Sequence, residues 1–179
     1  AATPAAAPAA IPAAAPTGPL TWRGLLKWLH TDGLIGADDV ERTTQRFGSG
    51  DSRQHPLVRL GNAGLTHKAN GSMLDAEALT KWLAQRSGVP YLRIDPLKVD
   101  VGRVADSMSA QYAERHKVLP VQVGVAEVVV ATAEPFVRDW VPEVERQTRK
   151  SVRLVVASPM DVARYTAEFF SLARSVRNA

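Results

Sequence analysis

Two runs rich in β-branched residues, Val118-Leu119-Pro120-Val121-Gln122-Val123 and Glu127-Val128-Val129-Val130-Ala131-Thr132, flank a short connection at Gly124. Branched side chains suit a pleated backbone, and a tight connection between two such runs predicts a β-hairpin. Pro120 has no N–H to give to a ladder, so the first run belongs at a sheet edge or a strand start. Val152 to Ala157 reads as a third strand, after a helix whose first turn suits Pro142 and which runs to about Arg149. Ser158-Pro159-Met160-Asp161 then has the chemistry of a helix start: a hydroxyl cap, proline at the first position and an acid at the third. That last helix, to about Val176, is expected to place Val162, Thr166, Phe169, Leu172 and Val176 on one side. The order α-β-β-α-β-α predicts a small three-stranded sheet covered by helices.

The first half of the chain has a different period. Trp22, Leu25, Leu26 and Leu29 recur at i, i+3, i+4 and i+7, one face of an amphipathic helix. Asp32-Gly33 ends it, with Gly33 able to take a left-handed conformation. A second helix is expected over Ala37 to Phe47, with Val40, Thr44 and Phe47 sharing a face and Asp38-Asp39 favoured by the helix dipole. Gly48 to Pro56 reads as a loop, Pro56 to Gly61 as one helical turn, and Asn62 to Gly71 shows no period. Asp75 caps a predicted helix to Ser87 that buries Ala78, Leu79, Trp82 and Leu83 and stops at Gly88. Tyr91 to Ile94 reads as extended, Val101 to Met108 as a short helix, and Ser109 as the cap of another. The fold class expected is therefore α+β: a helical unit over residues 20–88, then an α/β sandwich over residues 89–178. Ahead of both, residues 1–19 hold five of the twelve prolines among alanines, the composition of a tether.

Composition narrows the chemistry. The 179 residues include no cysteine, which removes disulfides, thiol nucleophiles and thiolate metal sites together and fits a reducing, cytosolic setting. No apolar run approaches the roughly 18 residues that a membrane-spanning helix needs. No Gly-Lys pair occurs, so the chain as given lacks the phosphate-binding loop of ATPases, and no catalytic residues are expected. His30, His55, His67 and His116 are scattered, and no metal site is expected. Basic residues alternate with acids, as in Glu114-Arg115 and Arg138-Asp139, the pattern of a solvated face rather than of a nucleic-acid interface.

Four phrases resemble one family. They are Leu79-Thr-Lys-Trp-Leu-Ala-Gln-Arg-Ser-Gly-Val-Pro-Tyr91, Tyr112-Ala-Glu-Arg-His-Lys-Val-Leu-Pro-Val121, Val128-Val-Val-Ala-Thr-Ala-Glu-Pro135, and Ala157-Ser-Pro-Met-Asp161 with the Phe169-Phe170 to Val176 ending. In that order they resemble the N-terminal, MshEN-type domain of the ATPases that drive type II secretion and type IV pilus assembly. The resemblance implies a non-catalytic docking and regulatory region, with ATP and Mg confined to a downstream motor of the same polypeptide, beyond Ala179. It implies a partner as well, the cytoplasmic domain of an inner-membrane platform protein, and hence a cytoplasmic location at that membrane. The expected docking residues are Trp22, Leu25, Trp28 and Leu29. Trp22 and Trp82 lie on apolar helix faces and read as core first, whereas Trp28 sits off the stripe and is the better partner-facing aromatic.

Some members of the family bind cyclic di-GMP through two copies of a motif that begins Arg-Leu-Gly. Here the first copy, Gly24-Leu25-Leu26 to Ile35, lacks the Arg. The second keeps Arg59-Leu60-Gly61, is stretched around Thr66 to Gly71, and places Arg86 near its final polar position. The resemblance thus implies Arg59, Leu60, Gly61 and Arg86 as ligand residues. Three readings stay open: a docking region, a cyclic di-GMP receptor, and a scaffold or nucleic-acid binder.

Overall fold

The computed structural model describes residues 17–177; most of the expected tether, residues 1–16, lies outside them. The described arm is anchored at once. The Gly18 N–H donates to the Phe136 carbonyl at 3.2 Å, and the Leu20 N–H donates to Glu134 Oε2 at 2.9 Å.

Helix α1 (Trp22–Thr31) starts on Thr21, whose hydroxyl accepts the Gly24 N–H, and buries Leu25, Leu26 and Leu29. Gly33 follows with φ +78°, the left-handed turn its sequence position called for. In α2 (Ala37–Phe47) the inward polar residue is Thr43; the expected Thr44 is exposed and returns its hydroxyl to the Val40 carbonyl. Positions 40, 43 and 47 form a stripe as regular as 40, 44 and 47, and packing selects the first. The short α3 (Pro56–Gly61) is capped by a side chain rarely used for this, the His55 ring, whose Nδ1 accepts the Leu57 N–H at 3.1 Å. The stretch Asn62 to Gly71, which showed no period, is tied back by an isolated antiparallel bridge between Thr66 and Met73. Helix α4 (Ala76–Ser87) is capped by Asp75 and ends at Gly88, and it buries Leu79, Trp82 and Leu83, with Ala78 only half-buried.

Tyr91 makes a single parallel bridge to Val156, shorter than the extended segment expected over Tyr91 to Ile94. The Leu92 N–H donates to the Val156 carbonyl, but Val156 is the last residue of its own strand, so the ladder stops before Arg93 and Ile94. After a 3₁₀ turn at Pro96–Lys98, α5 (Val101–Ser107) and α6 (Ala110–His116) are capped by Asp100 and Ser109. The strands β1 (Val118–Val123), β2 (Glu127–Thr132) and β3 (Ser151–Val156) lie in the order β1-β2-β3. The β1–β2 hairpin is antiparallel, with a register shift between Pro120 and Gln122. β3 adds parallel to β2 after a crossover through α7 (Val141–Thr148). Pro120 therefore sits on the edge strand, as its missing donor requires.

The C-terminal α8 (Pro159–Arg177) buries Val162, Thr166, Phe169, Phe170 and Ala173. Leu172 and Val176, expected on that face, are 54% and 74% exposed. Eleven residues carry Ala173 to within about 20° of Val162 around the helix axis, whereas Leu172 lies about 80° away. One continuous set of buried side chains runs from Leu20 through α1, α3 and α4 into the sheet and α8, so the stretches 20–88 and 89–178 share a core.

Where α4 meets the sheet and α8, Glu77 stands out. Its Oε1 is buried without a hydrogen-bond partner among the described residues. Burial, and after it the nearby charge of Asp161, pushes its carboxyl above the usual carboxylate range. A group whose pKa is raised by folding binds protons more tightly in the native state, so its ionisation opposes folding as pH rises. Glu77→Gln is expected to raise the melting temperature at pH 7. The gain should shrink as pH is lowered and vanish below about 4.3, the ordinary glutamate value. Thermal melts of both proteins from pH 3.5 to 8 would check this; a gain independent of pH would contradict it.

Candidate functional site: an arginine–aromatic cleft

Where α1, the residue 48–56 loop and α3 meet, Trp22 and Phe47 stack edge to face, with centroids 5.1 Å apart. The Arg23 guanidinium lies 4.5 Å from the Trp22 ring centroid. The Arg59 guanidinium lies 4.2 Å from that of Phe47 and 5.6 Å from that of Trp22. Each contact of this kind contributes about 0.5–1 kcal/mol at an exposed site, enough to orient a guanidinium but not to neutralise it. The arginine N–H groups go to backbone carbonyls: Arg23 to Gly48, and Arg59 to Phe47 and Gly50, at 3.2–3.4 Å. Among the described residues neither arginine has an ion-pair partner. They border an open cleft of about 400 Å³ lined also by Leu20, Asp51, Ser52, Gln54 and Pro56. Two guanidinium groups outside any ion pair and beside aromatic planes, with the single acid Asp51 on the same lining, suit a ligand carrying both negative charge and a flat ring.

Of the four residues implied as ligand contacts, only Arg59 reaches this cleft. Leu60 is fully buried, because the α3 turn that exposes Arg59 aims its neighbour into the core. Gly61 does admit a close backbone approach, but by the protein itself: a Cβ there would stand 2.6 Å from the Ala76 N. Arg86 lies elsewhere, in the last turn of α4. It pairs with Asp32 at the end of α1 and covers the Trp28 ring at 4.7 Å. The Trp82 indole N–H donates to the same Asp32 carboxylate at 2.9 Å. Burial pushes the Asp32 carboxyl up, but the hydrogen bonds from Arg86 and Trp82 outweigh it and hold the group below the usual carboxylate range.

The expected docking stripe is likewise corrected. Leu25 and Leu29 are 1% and 0% exposed and offer a partner no surface. Trp22 is half-buried in the cleft. Trp28 is half-buried and packs edge-on against Phe136 at 5.7 Å, so it joins α1 to the loop after β2. Sequence reasoning missed His55 and Glu134, which line a second, more apolar groove of about 400 Å³ among α3, α6 and α8. Their one visible signal was His55 immediately before a helix-starting proline.

The family model of the MshEN domain matches residues 87–176, from the end of α4 nearly to the end of α8. The chain belongs to the MshEN domain family. Its MshEN match spans the sheet, and the arginine–aromatic cleft lies ahead of it in sequence. The chain is 35% identical over 158 residues to the type IV pilus assembly ATPase TfpB of Acinetobacter baylyi (strain ATCC 33305 / BD413 / ADP1), covering 86% of this chain and 27% of TfpB. It therefore spans about a quarter of that relative's length. Among solved structures, MshE with cdg superposes with a TM-score of 0.53 at 14% identity, over 81% of this chain and 97% of that one. The N-terminal domain of XpsE gives 0.50 at 16% identity, over 80% and 91%. At such identities the fold is what is shared. Among the described residues no helix is long and apolar enough to cross a membrane.

Proposed function

We propose that this chain is the docking and regulatory N-terminal region of a traffic ATPase serving type IV pilus assembly or type II secretion. In this reading it binds the cytoplasmic domain of an inner-membrane platform protein and connects it to a motor carried elsewhere in the same polypeptide. The observation that carries the reading is the 35% identity, over 158 residues, to a pilus assembly ATPase. The protein then works at the cytoplasmic face of the inner membrane and turns over no nucleotide in this region. Titration calorimetry against the platform protein's cytoplasmic domain tests it; neither heat nor a co-eluting complex would count against docking.

A second reading concerns the cleft, and the unpaired Arg23 and Arg59 over Trp22 and Phe47 favour it. A cyclic dinucleotide has the two features the cleft selects, phosphates for guanidinium groups and a flat base for the aromatic planes. MshE, similar in fold, was solved with cdg. Cyclic di-GMP is expected to bind saturably and to weaken as salt rises. Arg59→Ala is expected to reduce affinity by about tenfold or more, the weight of one hydrogen bond to a charged group. Absence of a saturable response in the unmodified protein would remove this ligand.

A further inference from the structure

We infer that Glu134 is a positioning residue for the cleft, a single carboxylate on the sheet side that holds two of the cleft's walls. This rests on the cleft being a ligand site, as read above.

Glu134 follows β2 and contributes nothing to the cleft lining, yet both of its carboxylate oxygens reach cleft elements. Oε2 accepts the N–H of Leu20, which lines the cleft from the arm side. Oε1 lies 2.7 Å from His55 Nε2. Because His55 Nδ1 already accepts the Leu57 N–H, the ring proton belongs on Nε2, which donates to Oε1. His55 thereby fixes the first turn of α3, whose Pro56 and Arg59 form the opposite wall. The root of Glu134 is fixed too: its backbone N–H donates to the hydroxyl of buried Thr132 at 2.9 Å. Side-chain exposures of 13% for His55 and 19% for Glu134 keep most water away from the link. Gln54 lines both the cleft and the groove behind it, so this wall is shared between them.

The chemistry discriminates among replacements. A carboxylate accepts at both oxygens, and both of its partners here are donors. Glutamine has one acceptor and one donating amide, so whichever way it turns, an N–H faces an N–H. Alanine keeps neither link.

Hydrogen exchange on the full chain without ligand, joined to cyclic di-GMP titration, tests the assignment. Glu134→Ala is expected to speed exchange at Leu20 and Leu57 by about tenfold while the β2 amides keep their protection. Glu134→Gln should fall between. Both variants should bind cyclic di-GMP more weakly, Glu134→Ala the more so, although neither replaces a residue lining the cleft. If Glu134→Ala also loosened β2, the glutamine variant, with its side chain still in place, would decide. Exchange at Leu20 and Leu57 unchanged in both variants would overturn the assignment. So would unchanged affinity in a protein that binds the dinucleotide. Should the unmodified protein not bind it, the ligand reading fails by itself, and the exchange pattern still judges Glu134.

Discussion

Gly61→Ala is expected to destabilise the protein by about 2–3 kcal/mol, the upper range for overpacking a close contact. A Cβ at this position would stand 2.6 Å from the Ala76 N, 2.9 Å from its Cα and 3.1 Å from the Asp75 carbonyl carbon. All three are backbone atoms at the start of α4, held there by the Asp75 cap, so no side-chain rotation relieves the clash. Either α3 or α4 must shift, and each carries fully buried leucines, Leu57 and Leu60 on one, Leu79 and Leu83 on the other. Gly24→Ala is the matched control. Its Cβ would meet only the Thr21 hydroxyl, at 2.9 Å, an atom that can rotate away. Loss of that cap costs about 1 kcal/mol, and alanine returns about the same in helix propensity. Urea unfolding should therefore show a lower midpoint at unchanged slope for Gly61→Ala and little change for Gly24→Ala. A Gly61→Ala protein of normal stability that lost only a ligand would instead restore the glycine to a binding role.

The same residue shows where sequence reading reaches its limit. The motif Arg59-Leu60-Gly61 was visible, as was the rule that glycine admits a close approach. What approaches Gly61 is the start of α4, fifteen residues on, and no local pattern names a tertiary neighbour. Features set by local chemistry were legible: the Asp75 and Ser109 caps, the Gly33 and Gly88 stops, the hairpin at Gly124 and the edge position of Pro120. Each depends on groups within a few residues. The α+β class followed from these, because element order and period survive small errors in boundaries. Faces were harder. On α2 and α8 two stripes fit the apolar residues about equally, and the choice depended on what packs against the helix. The candidate site was the least legible part. Arg59 and Trp22 lie thirty-seven residues apart, and His55 and Glu134 are separated by 79. Such pairs exist only because the arm, α3 and the loop after β2 converge, a consequence of the shared core. Trp28 gives the same lesson: off the apolar stripe of its own helix, it found Phe136 on another element.

Leu29→Ala is expected to cost about 3 kcal/mol, within the range of about 2–5 kcal/mol for deleting a buried leucine to alanine. The side chain is fully buried between its helix and the core, and α1 cannot slide inward to fill the void, because Thr21 and Asp32 fix its two ends. Asp32 is itself tied to Trp82 and Arg86 on α4. For a domain of this size, that loss lowers the melting temperature by roughly 6–12 °C. The consequence for docking runs opposite to what the sequence suggested. Were Leu29 on a partner-facing stripe, its truncation would weaken platform binding and leave the melt unchanged. Buried, it should lower the melt and leave the affinity of the folded fraction intact, since a partner never touches it. Circular-dichroism melting combined with platform titration well below the new midpoint separates the two. A variant that melts like the unmodified protein yet fails to bind would return α1 to the surface and with it the original docking stripe.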